Sequence, residues 1–281
     1  GYAVPTVVMP NILEALTPAS TMMQAGAGIV DVSAEPAGKA WNFAAVNAIP
    51  TAAWRSEGGA VSESDPTFRE VPTTPRSLSF YFKVSRELLS DAANMDSALR
   101  QAIAQAFAKE LDRTGLRGSG TPPEPTGILN TSNVGSVTNG AAGAAQAGLR
   151  WSNLLSAVQT IMGYDAMPNA AIMAPRSAVG YAALADTTNQ PLQKPDLLRN
   201  LQFLVSSQIP VNLTVTTSSD CTEVYVGDFA QVIFVMRERP VIALANELFA
   251  LNGQVGFVCH VRADVAVLYP RAFAVITGIR A

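Results

Sequence analysis

The sequence predicts an α+β fold, and three observations carry that reading. Leu78, Phe80, Phe82 and Val84 alternate with Ser77, Ser79, Tyr81 and Lys83, the two-residue period of a half-buried strand. Leu99, Ile103, Phe107 and Leu111 recur every four residues, which places one apolar stripe along a helix of about five turns. Beyond a glycine-rich stretch the chain alternates helix and strand patterns, as a compact α/β unit does. No repeat or heptad runs through it.

In chain order, residues 1–40 show little periodicity and read as an extended arm, with a short helix between Asn11 and Leu16. Trp41, Phe43 and Val46 open a strand, and the strand at 77–84 returns beside it as a long two-stranded ribbon. Its polar tip holds Trp54-Arg55-Ser56-Glu57-Gly58-Gly59 and Asp65-Pro66-Thr67-Phe68. Ser85 caps a helical turn with Glu87, Leu88 and Leu89, Asp96 caps the long helix, and Gly115 and Gly118 stop it. Residues 118–148 hold seven glycines and read as a loop with at most short strands. A helix from Ser152 to about Gly163, a strand Ala170–Ala174 and a helix from Pro175 follow. Further strands are expected at 211–216, 223–227 and 231–236. Phe257, Cys259, Val261, Ala263, Val265 and Val267 make one face of a long strand, and an apolar run from Ala272 to Ile276 closes the chain.

Of 281 residues 48% are hydrophobic and 15% charged, against about 25% charged in an average domain, so disorder is excluded and much of the surface is expected to face protein. The formal charge of −3 and only four lysines argue against a strong grip on nucleic acid. No run reaches the ~18 apolar residues of a membrane span.

Catalytic chemistry finds few residues. Cys221 and Cys259 lack the spacing of a zinc knuckle or disulfide framework, and read as reduced, buried thiols. His260, the sole histidine, shares a strand face with Arg262 and Asp264, and reads as part of a polar face set against a neighbour. Gly118-Ser119-Gly120-Thr121 follows a helix rather than a strand and has no phosphate-loop lysine. Asp91 and Asp96 read as helix caps rather than a carboxylate pair. No enzyme, cofactor or metal is expected. Glu57, Glu63, Asp65 and Glu70 interleave with Arg55, Arg69 and Arg76, a near-balanced pattern suited to ion pairs between subunits. A ribbon carrying Trp54 and Phe68 is marginal alone in water, so a neighbouring subunit is expected to cover it.

Several stretches then agree with one family. Ser64-Asp65-Pro66-Thr67-Phe68, Ser85-Arg86-Glu87-Leu88-Leu89-Ser90-Asp91, and Gly118-Ser119-Gly120-Thr121 leading to Pro125-Thr126-Gly127-Ile128-Leu129 form the first half of a series. Met173-Ala174-Pro175-Arg176, Ile209-Pro210-Val211, Val226-Gly227-Asp228-Phe229 and Arg262-Ala263-Asp264 through Pro270-Arg271-Ala272-Phe273 continue it. In this order, over nearly the whole chain, the sequence resembles the major capsid proteins of tailed bacteriophages with the Hong Kong 97-like fold.

The resemblance implies an N-terminal arm (1–40), an extended hairpin loop with flanking strands (41–84), and a spine helix with glycine-rich loop in a peripheral domain (85–148). An axial domain (149–235) and a returning peripheral strand with a final axial strand (236–281) complete it. It further implies pentamers and hexamers closed into an icosahedral shell around double-stranded DNA. The implied partners are further copies of the chain, a portal protein, a decoration protein, and a scaffold region and maturation protease acting on a precursor, with no membrane. Assembly is expected in the host bacterial cytoplasm, and a chain beginning at Gly1 reads as the processed form. The expected neighbour contacts are Val7 and Val8, with Val4 and Met9 beside them in the arm, then Trp54, Arg55, Glu57, Glu63, Asp65, Phe68 and Arg69 in the hairpin. His260, Arg262 and Asp264 complete the set. An encapsulin-like compartment and a monomeric α/β enzyme are the rival readings.

Some members of that family weld their shells by an isopeptide bond from a hairpin lysine, yet no lysine lies between Lys39 and Lys83. Assembled material boiled in detergent is therefore expected to run as a single monomer band on electrophoresis; a ladder of covalent multimers would contradict this.

Overall fold

The computed structural model describes residues 6–8, 16, 19–34, 41–48, 50–61, 63–87, 95–140, 148–245, 249 and 252–280, with backbone only at 6–8, 47, 48, 95 and 96. The elements run β1 (Thr6–Val8), α1 (Thr21–Gln24), β2 (Gly28–Asp31), β3 (Trp41–Ala48), β4 (Thr67–Thr73) and β5 (Arg76–Ser85). Then come α2 (Met95–Arg117), β6 (Gly135–Thr138), α3 (Trp151–Met162), β7 (Ala170–Met173), α4 (Pro175–Ala182) and β8 (Gln202–Val205). The chain ends with β9 (Leu213–Val215), β10 (Ser218–Gly227), β11 (Val232–Ala245), β12 (Gln254–Val267) and β13 (Phe273–Ile279).

Two sheets organise these strands. In the first the order is β1-β11-β12-β5, with β2 lying parallel to the start of β11. The apolar alternation of β12 turns Cys259, Val261, Ala263, Val265 and Val267 toward a core that they share with Ile103, Phe107 and Leu111 of α2. Phe80 of β5 meets Phe107 with ring centroids 5.0 Å apart. The strand at 77–84 was expected to pair with 41–46, and this is corrected. β5 pairs antiparallel with β12, Leu78 opposite Val261, whereas the ribbon partner of β3 is β4. The periodicity gave the strand and its buried face correctly, but a two-residue period does not choose which edge a strand joins. Near the middle of β11 the register shifts twice between Met236 and Val241, where Pro240 cannot donate to the ladder. The bulge aims Arg237 at Val32 O (3.0 Å) and Arg239 at Asp31 (2.5 Å).

The second sheet, β6-β13-β10-β7-β8, mixes parallel outer pairs with antiparallel inner ones, and β9 adds to β10. One face packs under α3, whose Leu154, Ala157, Val158 and Ile161 form a single stripe against Val224, Val226, Ala274 and Ile276. Pro175 at the first turn of α4 uses a position where an amide is spare. The opposite face contributes Ile172, Tyr225, Phe273 and Val275 to the core built around α2, so the two sheets share one interior. The chain passes between them three times, first through α2 and then from β10 into β11 and from β12 into β13, and the last two passages run side by side. Asp228 N donates to Ala272 O (3.1 Å) and Leu268 N to Gln231 O (2.8 Å), while Phe229 and Phe273 meet edge to face at 5.4 Å. Gly227 is required there, because a Cβ would lie 2.2 Å from Phe273 Cδ1.

The expectation of an extended arm through residue 40 also needs correcting. Residues 19–32 are part of the folded body, with Met22 fully buried and α1 set against α2. The carboxylate of Asp112 accepts from Ser20 Oγ (2.6 Å), Thr21 N (2.7 Å) and Met22 N (3.2 Å), which satisfies the spare amides that open α1. Such a short helix has little apolar periodicity to read, and its partner is 90 residues away. Gly115 does not stop α2 but lies inside it, where Met22 crosses so closely that a Cβ would sit 2.5 Å from its sulfur. The stop is Gly118, whose amide reaches Thr114 O (2.8 Å) with Pro125 O and Gly127 N crowding the space of any side chain. Asp96 falls within α2 rather than ahead of it. The predicted helix at 11–16 and the turn at Leu88 and Leu89 with Asp91 lie, apart from Leu16, outside the described residues.

Burial raises the Asp112 carboxyl above its ordinary range, although Ser20 and the amides of Thr21 and Met22 pull it back down. A raised native value means that this group contributes most to stability below the unfolded value near 3.8 and loses that contribution as pH climbs through the native one. Asp112→Asn is therefore expected to gain on the parent between pH 4 and pH 7, read as the difference in urea midpoints. A gap that widens in the parent's favour over that range would oppose the assignment.

Candidate assembly interface

The ribbon β3-β4 has two unlike faces. Toward the body, Trp41, Phe43 and Val71 pack on Val32, Val235 and Ala266, covering the side of the first sheet that α2 leaves bare. Thr73 Oγ1 donates to Trp41 O (2.5 Å), and Thr74 N to Asp264 Oδ2 (2.5 Å). Arg69 donates from one nitrogen to both Val267 O and Leu268 O, each at 3.1 Å. Away from the body, Asn42 donates to the Glu70 carboxylate, and the cross-strand pair Val46 and Phe68 stands 50% and 68% exposed.

Past the strands, the tip is held by its own turn chemistry. Gly59 N reaches Ser56 O (3.0 Å) across Gly58 at φ +75°, Arg55 donates to Gly59 O (2.8 Å), and Thr51 N to Ser64 Oγ (2.8 Å). Trp54 makes no use of the subunit at all, being 104% exposed, and Val61 is 77% exposed. Single exposed apolar residues are ordinary, but four of them along one projecting ribbon are not.

The residues expected at neighbour contacts divide accordingly. Trp54, Arg55, Glu57, Glu63, Asp65 and Phe68 all lie exposed on the ribbon. Arg69 and Asp264 do not belong with them, since each is used inside the chain. Asp264 is buried, accepts from Thr74 and Val265 amides, and is raised by desolvation against the pull of those amides and Arg76. Val7 and Val8 pair in β1 with Ile242 and Val241 of the same chain. Val4 and Met9, like the side chains of Val7 and Val8, lie outside the described residues. His260 Nε2 lies 3.2 Å from Glu238 Oε1 on the adjoining bulged strand, and Arg262 is exposed with Pro75 O 3.5 Å away. Sequence reading missed Val46 and Val61, and also Tyr81, which stands 64% exposed opposite Val258 on the outer side of the first sheet. Hydrophobic alternation marks buried faces, and nothing in it flags an apolar residue left on the outer one.

The chemistry available elsewhere is structural. Cys221 and Cys259 are free and buried, and burial pushes the Cys259 thiol up to about 11, far from a reactive thiolate. Among the described residues no three His, Cys, Asp or Glu side chains group to hold a metal, and no helix is long and apolar enough to cross a membrane.

Comparison with known families matches residues 1–278 to the phage capsid family, and the chain belongs to it. No curated protein matches the chain. Among solved structures, the capsid of a native GTA particle computed with C5 symmetry superposes with a TM-score of 0.68 at 19% identity, covering 100% of this chain and 94% of that one. A chain of Mycobacterium phage Bobi gives 0.66 at 15% (92% and 89% covered), and one of Microbacterium phage Oxtober96 gives 0.64 at 17% (98% and 95% covered). The fold is the α+β, Hong Kong 97-like capsid fold. The protein is a structural, non-enzymatic subunit of an oligomeric phage capsid shell, with its place in the virion head. The monomeric enzyme reading is set aside by that membership.

Arg69 fastens the ribbon root to the body. Arg69→Ala is expected to cost about 1–3 kcal/mol through two lost carbonyl partners, and to speed proteolysis within residues 50–66 severalfold in the unassembled subunit. Unchanged cleavage would show that the apolar root alone holds it.

Proposed function

We propose that this chain forms pentamers and hexamers which close into an icosahedral head around double-stranded DNA, with the β3-β4 ribbon as the principal contact between neighbours. The observation that carries the reading is the ribbon itself: a rooted, projecting hairpin whose outer side and tip present Val46, Phe68, Val61 and Trp54 to solvent. A subunit gains little from holding such residues in water, whereas an interface gains the burial of each. The small charge of the chain suits a wall facing a packed genome, since a basic wall would bind phosphate and a strongly acidic one would repel it. Double-stranded DNA is thus a weakly and non-specifically contacted cargo. A portal protein at one vertex, a scaffold region with its protease in a precursor, a decoration protein, and assembly in the host bacterial cytoplasm belong to the same proposal.

Electron microscopy of native material, with absorbance at 260 and 280 nm on the same fractions, tests this. Closed icosahedral particles rich in nucleic acid are expected. Particles filled with protein cargo would identify an encapsulin-like compartment instead, and a persistent monomer would remove both. Trp54→Ala is expected to leave the circular dichroism of the subunit unchanged and to raise the concentration needed for assembly by about tenfold or more, the usual cost of losing a buried interface tryptophan.

A further inference from the structure

Two Asn-Gly steps occur in the chain, Asn139-Gly140 and Asn252-Gly253. At such a step the second residue has no Cβ, so its amide nitrogen can approach the asparagine side chain without hindrance. The fold decides whether it does, and it treats the two steps differently. Asn139 is 1% exposed and locked in place. Its Nδ2 donates to Gly148 O (3.3 Å) and Gly278 O (3.2 Å), its Oδ1 accepts from Asn153 Nδ2 (2.5 Å), and its backbone amide donates to Thr277 O (2.9 Å). Swinging this side chain toward Gly140 N would break all three side-chain bonds in a buried setting.

Asn252 lies in the connection from β11 to β12, exposed, and its side chain has no hydrogen bond to any described residue. Gly253 follows at φ +63°, in open space where even a Cβ would meet nothing within 4 Å. The turn is held around this step rather than at it. Asn252 N and Gln254 N both donate to Phe249 O, at 3.1 and 3.2 Å, and Arg86 N donates to Gly253 O at 3.0 Å. Gly253 N, between those two donors, has no partner among the described residues. A nucleophilic nitrogen and the carbonyl carbon it can reach are therefore adjacent, solvated and unengaged.

We propose that Asn252 is a self-modification site, converted to aspartate and isoaspartate without an enzyme. Gly253 N gives its proton to water or hydroxide and attacks Asn252 Cγ. The new C–N bond closes a five-membered succinimide, and the Cγ–Nδ2 bond breaks, Nδ2 taking up a proton and leaving as ammonia. Water then adds to either ring carbonyl. Opening at Cγ leaves aspartate, whereas opening at the backbone carbonyl leaves isoaspartate, in which the chain runs on through Cβ and Cγ. One water is consumed and one ammonia released, and nothing is oxidised or reduced. Each event adds one negative charge to a chain whose formal charge is −3. The isoaspartate product also lengthens the backbone in the turn tied to Arg86, just past the end of β5, so the bond from Arg86 N to Gly253 O is the one it puts out of register.

Incubation of the full, unassembled chain in heavy-oxygen water, followed by peptide mass spectrometry, tests this. Labelled aspartate and isoaspartate are both expected at position 252, accumulating about tenfold or more faster than any change at Asn139, which must wait for local opening. Because ring closure runs through the deprotonated amide, conversion is expected to be severalfold faster at about pH 8 than at about pH 6. Asn252→Gln, whose longer side chain would have to close a less favourable six-membered ring, is expected to keep the subunit's circular dichroism and lose the reaction. In urea, where the fold no longer separates the two steps, Asn139 is expected to react as fast as Asn252. An unchanged Asn252 in the folded chain, aspartate without isoaspartate, equal rates at the two steps before unfolding, or a gap between them that persists in urea would overturn the proposal. The reaction belongs to the single subunit, so it stands or falls apart from the shell reading.

Discussion

The architecture depends on one crossing. Two of the three passages between the sheets, from β10 into β11 and from β12 into β13, run side by side, bonded through Asp228 to Ala272 and Leu268 to Gln231. Gly227 allows Phe273 to close against Phe229, and Asn169 adds a bridge, donating to Ala25 O and accepting from Phe229 N. Because the crossing is double, neither sheet can rotate without breaking backbone hydrogen bonds in the other passage. A single interior can therefore run through both, with α2 and α1 packed on it. The C-terminal end of α2 adds a further tie, Arg117 lying 3.4 Å from Glu223, which also accepts from Tyr225 Oη at 2.7 Å.

Charge is distributed by position. Arg69, Arg117 and Asp112 are engaged within the subunit by carbonyls, a carboxylate or amides distant in sequence, and Arg113 by Glu110 and Glu124 nearby. The tip carboxylates Glu57, Glu63 and Asp65 stay exposed. In a chain only 15% charged, keeping some charges for the inside leaves a surface on which apolar and weakly polar groups must meet other protein.

Much of this was legible in the sequence, and the failures have physical causes. The stripe on α2 and the alternating face of β12 were read correctly because a long amphipathic element states its period many times over. The ribbon was recognised while its second strand was misassigned, since Thr67–Thr73 contains Arg69, Glu70 and Pro72 and scarcely alternates by hydrophobicity. The folded segment at 19–32 was missed because its order comes from Asp112, far along the chain, and not from any local pattern. Trp54 could be singled out, as an aromatic amid turn residues is conspicuous. A groove between α2, β5 and the loop after Gly118 could not, for it exists only once those elements have come together.

Arg69 joins the ribbon to the carbonyls of Val267 and Leu268, and the amide of Leu268 is itself one of the bonds of the crossing. Mechanically, the hairpin is a cantilever clamped where the chain crosses between the sheets. In the shell proposed above, a pull on the tip is delivered to that clamp rather than to a loop, and there it is divided between both sheets. A wall made of such parts bears tension as a woven mesh does, by passing load from strand to strand.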